Sequence, residues 1–179
     1  MKKFNVKTLQ KYIVFFYVYA FLGWIVDTSI CLVMDGELTK RGFLYGPICP
    51  MYGYAAIVLI ILAKKIKGKG GFISKVIVAT IWCSVLEYVT AFILDVFFHQ
   101  KWWDYQYQPF NLHGRICLAA SILWGILSVL FMTVLHPRVE RLLEKIANKL
   151  KSKTINAIVC IVVLINFADT VLSIIRYLK

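Results

Sequence analysis

Five apolar runs divide the chain, separated by short polar or glycine-rich segments, over about residues 12–34, 47–64, 72–98, 116–135 and 154–175. Crossing the hydrocarbon core of a bilayer takes roughly 20 helical residues, so the first, third, fourth and fifth runs predict membrane-spanning helices directly. The second has a shorter core, from Met51 to Ala63. It reaches a full crossing by borrowing Pro47 to Pro50 at one end and the snorkelling stem of Lys64 at the other. The third is long enough to tilt. The first is too long for a cleaved signal sequence and lacks a small-residue cleavage site. The pattern predicts a single transmembrane domain over residues 1–179, an all-α integral membrane protein folded as a five-transmembrane-helix bundle.

The cations follow the same division. Lys2, Lys3, Lys7 and Lys11 precede the first run; Lys64, Lys65, Lys67, Lys69 and Lys75 lie between the second and third. Arg138, Arg141, Lys145, Lys149, Lys151 and Lys153 lie between the fourth and fifth. These three segments alternate onto one face and hold fifteen cations, against six on the other: Lys40, Arg41, Lys101, Arg115, Arg176 and Lys179. Basic residues concentrate on the cytoplasmic side of membrane proteins. The expected topology therefore has a cytoplasmic N-terminus and an extracytoplasmic C-terminus. The net charge of +12 is thus a topology signal, and no nucleic-acid partner is expected.

Composition agrees with lipid as the solvent: 60% of the 179 residues are hydrophobic and 17% charged, below the quarter or so usual in soluble domains. The five cysteines are scattered, with no CxxC pair and no histidine cluster at ligand spacing, so neither a metal nor another cofactor is expected. Cys49 and Cys117 both fall near the expected outer face, but nothing in their spacing pairs them. After Pro137, the residues Val139, Leu142, Leu143, Ile146 and Leu150 recur at helical spacing among charges. Residues 137–151 read either as an amphipathic helix on the cytoplasmic surface facing anionic headgroups or as a cytoplasmic extension of span four. Lys67 to Gly71 reads as a flexible turn, since no phosphate-loop pattern surrounds it.

Ionisable groups inside a membrane are costly and mark candidate sites. Asp27, Glu87, Asp95 and Asp169 fall within the apolar runs. Asp95 is near a helix end and reads as solvated there. Asp169, with Asn166, Thr170 and Ser173 on one face, reads as a helix-packing stripe. Glu87 is the sharper candidate: an ionised carboxylate there needs a partner, a proton or a hydrated cavity, and Arg115 is the expected partner. Substitution of Glu87 or Arg115 by Leu is accordingly expected to matter far more than Asp95→Asn. Asp27 lies deeper, one turn from Trp24.

Two segments on the expected outer face are dense in turn and polar residues. Residues 42–53 carry Gly42, Gly46, Pro47, Pro50 and Gly53 and predict a re-entrant or unwound approach to span two, which requires burial in protein or a cavity. Residues 102–115 gather Trp103, Asp104, Tyr105, Asn111, His113 and Arg115. An aromatic belt accounts for the rings but not for the polar groups arriving beside Glu87. The candidate substrate cavity is therefore Glu87, Trp103, Asp104, Tyr105, Asn111, His113 and Arg115, with Asp27. Arg115 offers a planar fork for a carboxylate or phosphate, the rings offer stacking faces, and His113 a proton relay. No Ser-His-Asp order, HExxH or paired catalytic carboxylates can be read, so no catalytic residue is assigned.

Gly42-Phe-Leu-Tyr-Gly-Pro47, Tyr52-Gly53, Glu87, Trp103-Asp-Tyr105, Asn111, Gly114-Arg-Ile-Cys117, Trp124-Gly125 and His136-Pro137 together resemble the type IV ABC transporter permeases, the CmpB-like family of bacterial membrane proteins. The likeness covers roughly residues 12–145. It implies a multi-pass protein of the bacterial cytoplasmic (inner) membrane, named as a transporter component and needing a separate ATPase subunit, because the chain has no nucleotide-binding motif of its own. The leading reading is a small transporter or permease subunit with an outward-facing polar cavity. Five spans are few for a complete path, so a homodimer or another partner is expected. Two alternatives stand: a membrane-embedded enzyme acting on a lipid or lipid-linked headgroup at the outer leaflet, and a structural membrane subunit without a substrate.

Overall fold

The computed structural model describes residues 6–36, 42–66 and 71–178, with the side chains of residues 6, 7, 34, 35 and 66 excepted. Lys2, Lys3, Lys40, Arg41, Lys67, Lys69, Lys179 and the turn over 67–70 lie outside the described residues, as does the side chain of Lys7. The helices are α1 (Val6–Asp35), α2 (Pro50–Ile66), α3 (Phe72–Phe98), α4 (Leu118–Leu130), α5 (His136–Ala147) and α6 (Ser152–Leu178). Between α3 and α4 sit two short strands, β1 (Asn111–Leu112) and β2 (Ile116–Cys117). The chain divides into two compact units, one built from Met1–Ile57 with Glu144–Lys179, the other from Val58–Leu143.

Four helical stretches are long and apolar enough to cross a membrane: Thr8–Val33, Phe72–Phe98, Leu118–Ala147 and Ser152–Leu178. Helix α2, with 17 residues, is about 25 Å long at 1.5 Å per residue, a little under the roughly 30 Å of a hydrocarbon core. The apolar side chains of α3 and α6 are largely exposed, among them Ile73, Ile81, Phe97, Leu164, Ile165 and Phe167. A water-soluble protein would bury such surface; here it is the surface that lipid covers.

In the first unit, α1 and α2 meet through reciprocal ring-on-glycine contacts. Gly23 lies beneath Tyr52, whose Cβ and Cγ occupy the space a side chain would need, and Gly53 lies beneath the Phe16 ring, 2.7 Å from where a Cβ would sit. Cys49 N–H donates to the Ala20 carbonyl at 3.0 Å, which fixes the entry to α2. Helices α1 and α6 run in register. Gln10 Nε2 donates to Asn156 Oδ1 at 2.8 Å, and about two to three turns on Tyr17 Oη donates to Asn166 Oδ1 at 3.4 Å. Lys11 Nζ holds Glu144 at 2.8 Å. Asn166 and Asp169, read from sequence as one packing stripe, divide their work: Asn166 meets α1, whereas Asp169 grips the loop before α2. Its carboxylate accepts Tyr45 N–H at 2.7 Å and Gly46 N–H at 2.8 Å, with Ser173 Oγ donating at 3.1 Å. Arg176 completes the clamp, donating to the Phe43 carbonyl at 2.8 Å with its guanidinium over the rings of Tyr45 and Tyr177. These bonds hold the irregular segment 42–49 at the amides of Tyr45 and Gly46 and the carbonyl of Phe43.

In the second unit, α3 and α4 approach at Gly125, where an added Cβ would overlap the Thr80 hydroxyl and lie 3.2 Å from the Val76 carbonyl oxygen. Cys83 Sγ and Ser128 Oγ share a hydrogen bond at 3.2 Å. Leu59, Ala79, Val129 and Met132 close the core beside them. All five cysteines are free.

Helix α4 continues into α5 through a π-helical turn, Phe131–Leu135. The reason is Pro137, which has no N–H to give and crowds the carbonyls one turn back. His136 N–H reaches five residues back to the Phe131 carbonyl, and the Thr133 hydroxyl donates to the Val129 carbonyl at 2.7 Å. The helical backbone runs on from α4 through Ala147, and the amphipathic pattern continues along it. His136 is buried and stacked on Phe131.

Candidate functional site

The polar residues singled out between spans three and four form a small folded cap. Helix α3 stops where His99 turns left-handed, φ 51°, and Gln100 N–H returns to the Leu94 carbonyl at 2.9 Å, a Schellman-type ending. At the other end, β1 pairs antiparallel with β2, Asn111 opposite Cys117 and Leu112 opposite Ile116. His113 and Gly114 both have positive φ (54° and 67°), and Arg115 N–H donates to the Leu112 carbonyl at 3.0 Å. That is the geometry of a type I′ hairpin turn. Gly114 is required for a second reason: a Cβ there would sit 2.8 Å from Asp104 Oδ1.

Side chains knit the cap from within. Asp104 Oδ1 accepts Gln106 N–H at 2.9 Å. Asn111 donates to the carbonyls of Gln106 and Gln108 and accepts Gly114 N–H. Trp103 Nε1 donates to the Arg115 carbonyl at 2.9 Å. Asp104, Asn111 and Trp103 therefore spend these groups on the loop's own backbone, which gives the cap a fixed shape.

Two polar networks join this cap to α3, and they are distinct. In the first, Tyr105 Oη donates to Glu87 Oε1 at 3.1 Å; Glu87 is only 7% exposed, and Trp124 of α4 is a further hydrogen-bonding side chain at its carboxyl. The Tyr105 phenol is pushed above its ordinary range, first by burial and then by the adjacent Glu87. It therefore remains a hydrogen-bond donor through the neutral and mildly alkaline range. In the second, Arg115 donates from one terminal nitrogen to Asp95 Oδ2 at 2.8 Å and from the other to Tyr88 Oη at 3.3 Å. Its guanidinium lies 5.5 Å from the Tyr88 ring centroid and 5.2 Å from that of Phe92. Tyr88 Oη also meets His113 Nδ1 at 2.9 Å. The bond to Asp95, followed by that to Tyr88, raises the Arg115 pKa, so this cation is permanent.

The expected Glu87–Arg115 pair is thus not the one formed. On a helix with 100° between successive residues, positions 88, 92 and 95 share a face, and position 87 lies about 100° round from 88. Arg115 follows the face of Tyr88, Phe92 and Asp95; Glu87 faces Tyr105. Asp95, read as merely solvated, is the partner of Arg115. Its spacing of seven from Tyr88 was the available signal. Beside the Arg115–Asp95 pair is a cavity of about 20 Å³ bounded by Ala91, Leu94, Gln100, Lys101, Trp102, Trp103, Asp104, His113 and Gly114, room for about one water. Glu87, Tyr105 and Asn111 are not among its walls. Asp27 belongs to the first unit, on α1, within electrostatic reach of Cys49. Among the described residues, no three of His, Cys, Asp and Glu converge so as to hold a metal ion.

Four apolar helices of spanning length make this an integral membrane protein. Residues 14–174 match the family model described as "Putative ABC-transporter type IV", and the chain belongs to that family. No curated protein and no solved structure matches it.

Proposed function

We propose that the chain is the membrane subunit of a bacterial inner-membrane transporter. In this reading it has five spans, a cytoplasmic N-terminus, and an outward-facing polar site in the α3–α4 cap, and it works with a separate ATPase chain and a second membrane subunit. The observation that carries the reading is the cluster of Asp95, Arg115 and His113 around a water-sized cavity at the end of an apolar helix, with Tyr88 hydrogen-bonded to Arg115 and His113. Such groups at membrane depth mark solute or ion paths. The cavity as it stands admits about one water, so passage of a solute requires the cap to move. Tyr105, which ties the cap to Glu87, is the contact that would govern that movement.

Parity supports the fifth span. Gln10 beside Asn156 and Tyr17 beside Asn166 mean that α1 and α6 run the same way. Starting on the same side, they need an odd number of crossings between them. Helices α3 and α4 supply two, so α2 is the third. The shared starting side includes Lys11, Lys145, Lys149, Lys151 and Lys153, the charge bias expected of a cytoplasmic face.

The test is isolation of the full chain with its surrounding native lipid, identification by mass spectrometry of the chains and small molecules that accompany it, and uptake of the identified solute into vesicles. An ATPase chain should co-isolate. Arg115→Leu, Asp95→Asn and Glu87→Leu should each cut uptake by about tenfold or more, with Tyr107→Phe as the unaffected control. Wild-type uptake by all three variants, at wild-type stability, would overturn the reading.

A further inference from the structure

Helix α5 carries an ordered double row. Val139, Leu142 and Ile146 follow one another at helical spacing; Arg138, Arg141 and Lys145 follow in the same steps, each one residue earlier. Among the described residues the apolar row is left uncovered: Leu142 is 58% exposed and Ile146 46%. The acids lie on the other flank and are engaged, Glu140 facing His136 at 3.9 Å and Glu144 held by Lys11 at 2.8 Å. Arg138 gives one N–H to the Val134 carbonyl and Arg141 one to the Pro137 carbonyl. Each guanidinium carries five N–H donors, so both retain donors for an oxyanion.

Length fixes where this double row must be. The continuous helix Leu118–Ala147 has 30 residues, about 45 Å at 1.5 Å per residue, whereas the hydrocarbon core is about 30 Å thick. Its last ten residues or so therefore lie at headgroup level. The π turn and Pro137, both places where helices bend, stand at the exit from the core. An uncovered apolar row bordered by a cationic one at that depth matches an interfacial helix on an anionic surface.

We propose that α5 is a binding element for anionic phospholipid: its leucine and isoleucine row beds at the boundary of the acyl chains, and Arg138, Arg141 and Lys145 hold headgroup phosphates.

Hydrogen exchange of the full chain tests this, in vesicles of phosphatidylglycerol and in vesicles of phosphatidylcholine. The amides of 138–147 should exchange at least about tenfold more slowly in phosphatidylglycerol. The combined variant Arg138→Gln/Arg141→Gln/Lys145→Gln should erase that difference while leaving thermal unfolding unchanged, and added salt should reduce it in the wild type. Equal exchange in the two lipids, persistence of the difference in the glutamine variant, or protection that depends on protein concentration and so signals a second copy would each overturn the proposal. The readout requires no transport, so its failure is separate from failure of the transport reading.

Discussion

Removing the Tyr105 hydroxyl is the most direct test of how the cap is held. Tyr105→Phe keeps the ring and its burial, and deletes one donor to a carboxyl that is 7% exposed. Hydrogen bonds are worth roughly 0.5–1.5 kcal/mol in soluble proteins, and about 1.5–3 to a charged group, while side-chain bonds inside membranes average about 0.6 kcal/mol and reach about 1.7. The contact at 3.1 Å joins a loop residue to a helix within one unit, so a loss of about 1–2 kcal/mol is expected. Glu87→Gln keeps the shape and an acceptor oxygen for Tyr105, so it should cost less. The double variant should then show a coupling of about 1 kcal/mol. Equilibrium unfolding in mixed micelles of rising denaturing-detergent content, followed by tryptophan fluorescence, measures all four proteins. Additivity of the two single losses to within about 0.3 kcal/mol would refute the contact. The same bond has a pH signature. The folded-state pKa of Tyr105 lies above its unfolded value of 10.0, so its linkage contribution is fully present below about pH 10 and is lost as pH rises toward the folded-state value. Tyr105→Phe should flatten that alkaline decline.

Gly23→Ala should be among the most damaging single-methyl additions, by about 3 kcal/mol or more. The new Cβ meets Tyr52 at its Cγ and at its Cβ, and the Cβ is fixed to the backbone and cannot rotate away; a thermal midpoint in detergent unchanged from wild type would contradict this. Asp169→Ala should leave the Tyr45 and Gly46 amides without their acceptor, at about 1–3 kcal/mol for each amide that water does not reach. Limited proteolysis should then cut residues 42–49 faster, and an unchanged cleavage rate would show that the carboxylate does not hold the loop. Phe110→Gly should stabilise the protein by up to about 1 kcal/mol, because Phe110 sits at φ 53°, a conformation that disfavours side chains. Its ring is 83% exposed, so little packing is lost, and a lower unfolding midpoint would count against the assigned backbone.

Much of the architecture was legible from spacing alone, for a reason visible in α3. A run from Phe72 to Phe98 with so few polar positions has only one inexpensive solvent, and within it every backbone group must bond internally. The helix follows from the composition. The cap was legible in outline for a similar reason: Gly114 and the polar cluster at 102–115 cannot continue a helix. Which of those polar groups face α3 was not legible, because Trp103, Asp104 and Asn111 could as well have projected into a cavity as bonded their own loop.

The motif residues carried the family likeness, and the pattern of apolar and charged positions by itself determined that this chain lives in a membrane and along which segments its long apolar helices run. Those properties depend on local composition and on solvation, which act residue by residue along the chain. Only the tertiary structure decided that Arg115 takes Asp95 and leaves Glu87 to Tyr105, that Asp169 anchors the loop before α2, and that α1 and α6 run in register. Such choices depend on which faces of rigid helices meet, and a rotation of 100° from one residue to the next separates neighbours that a linear sequence sets side by side.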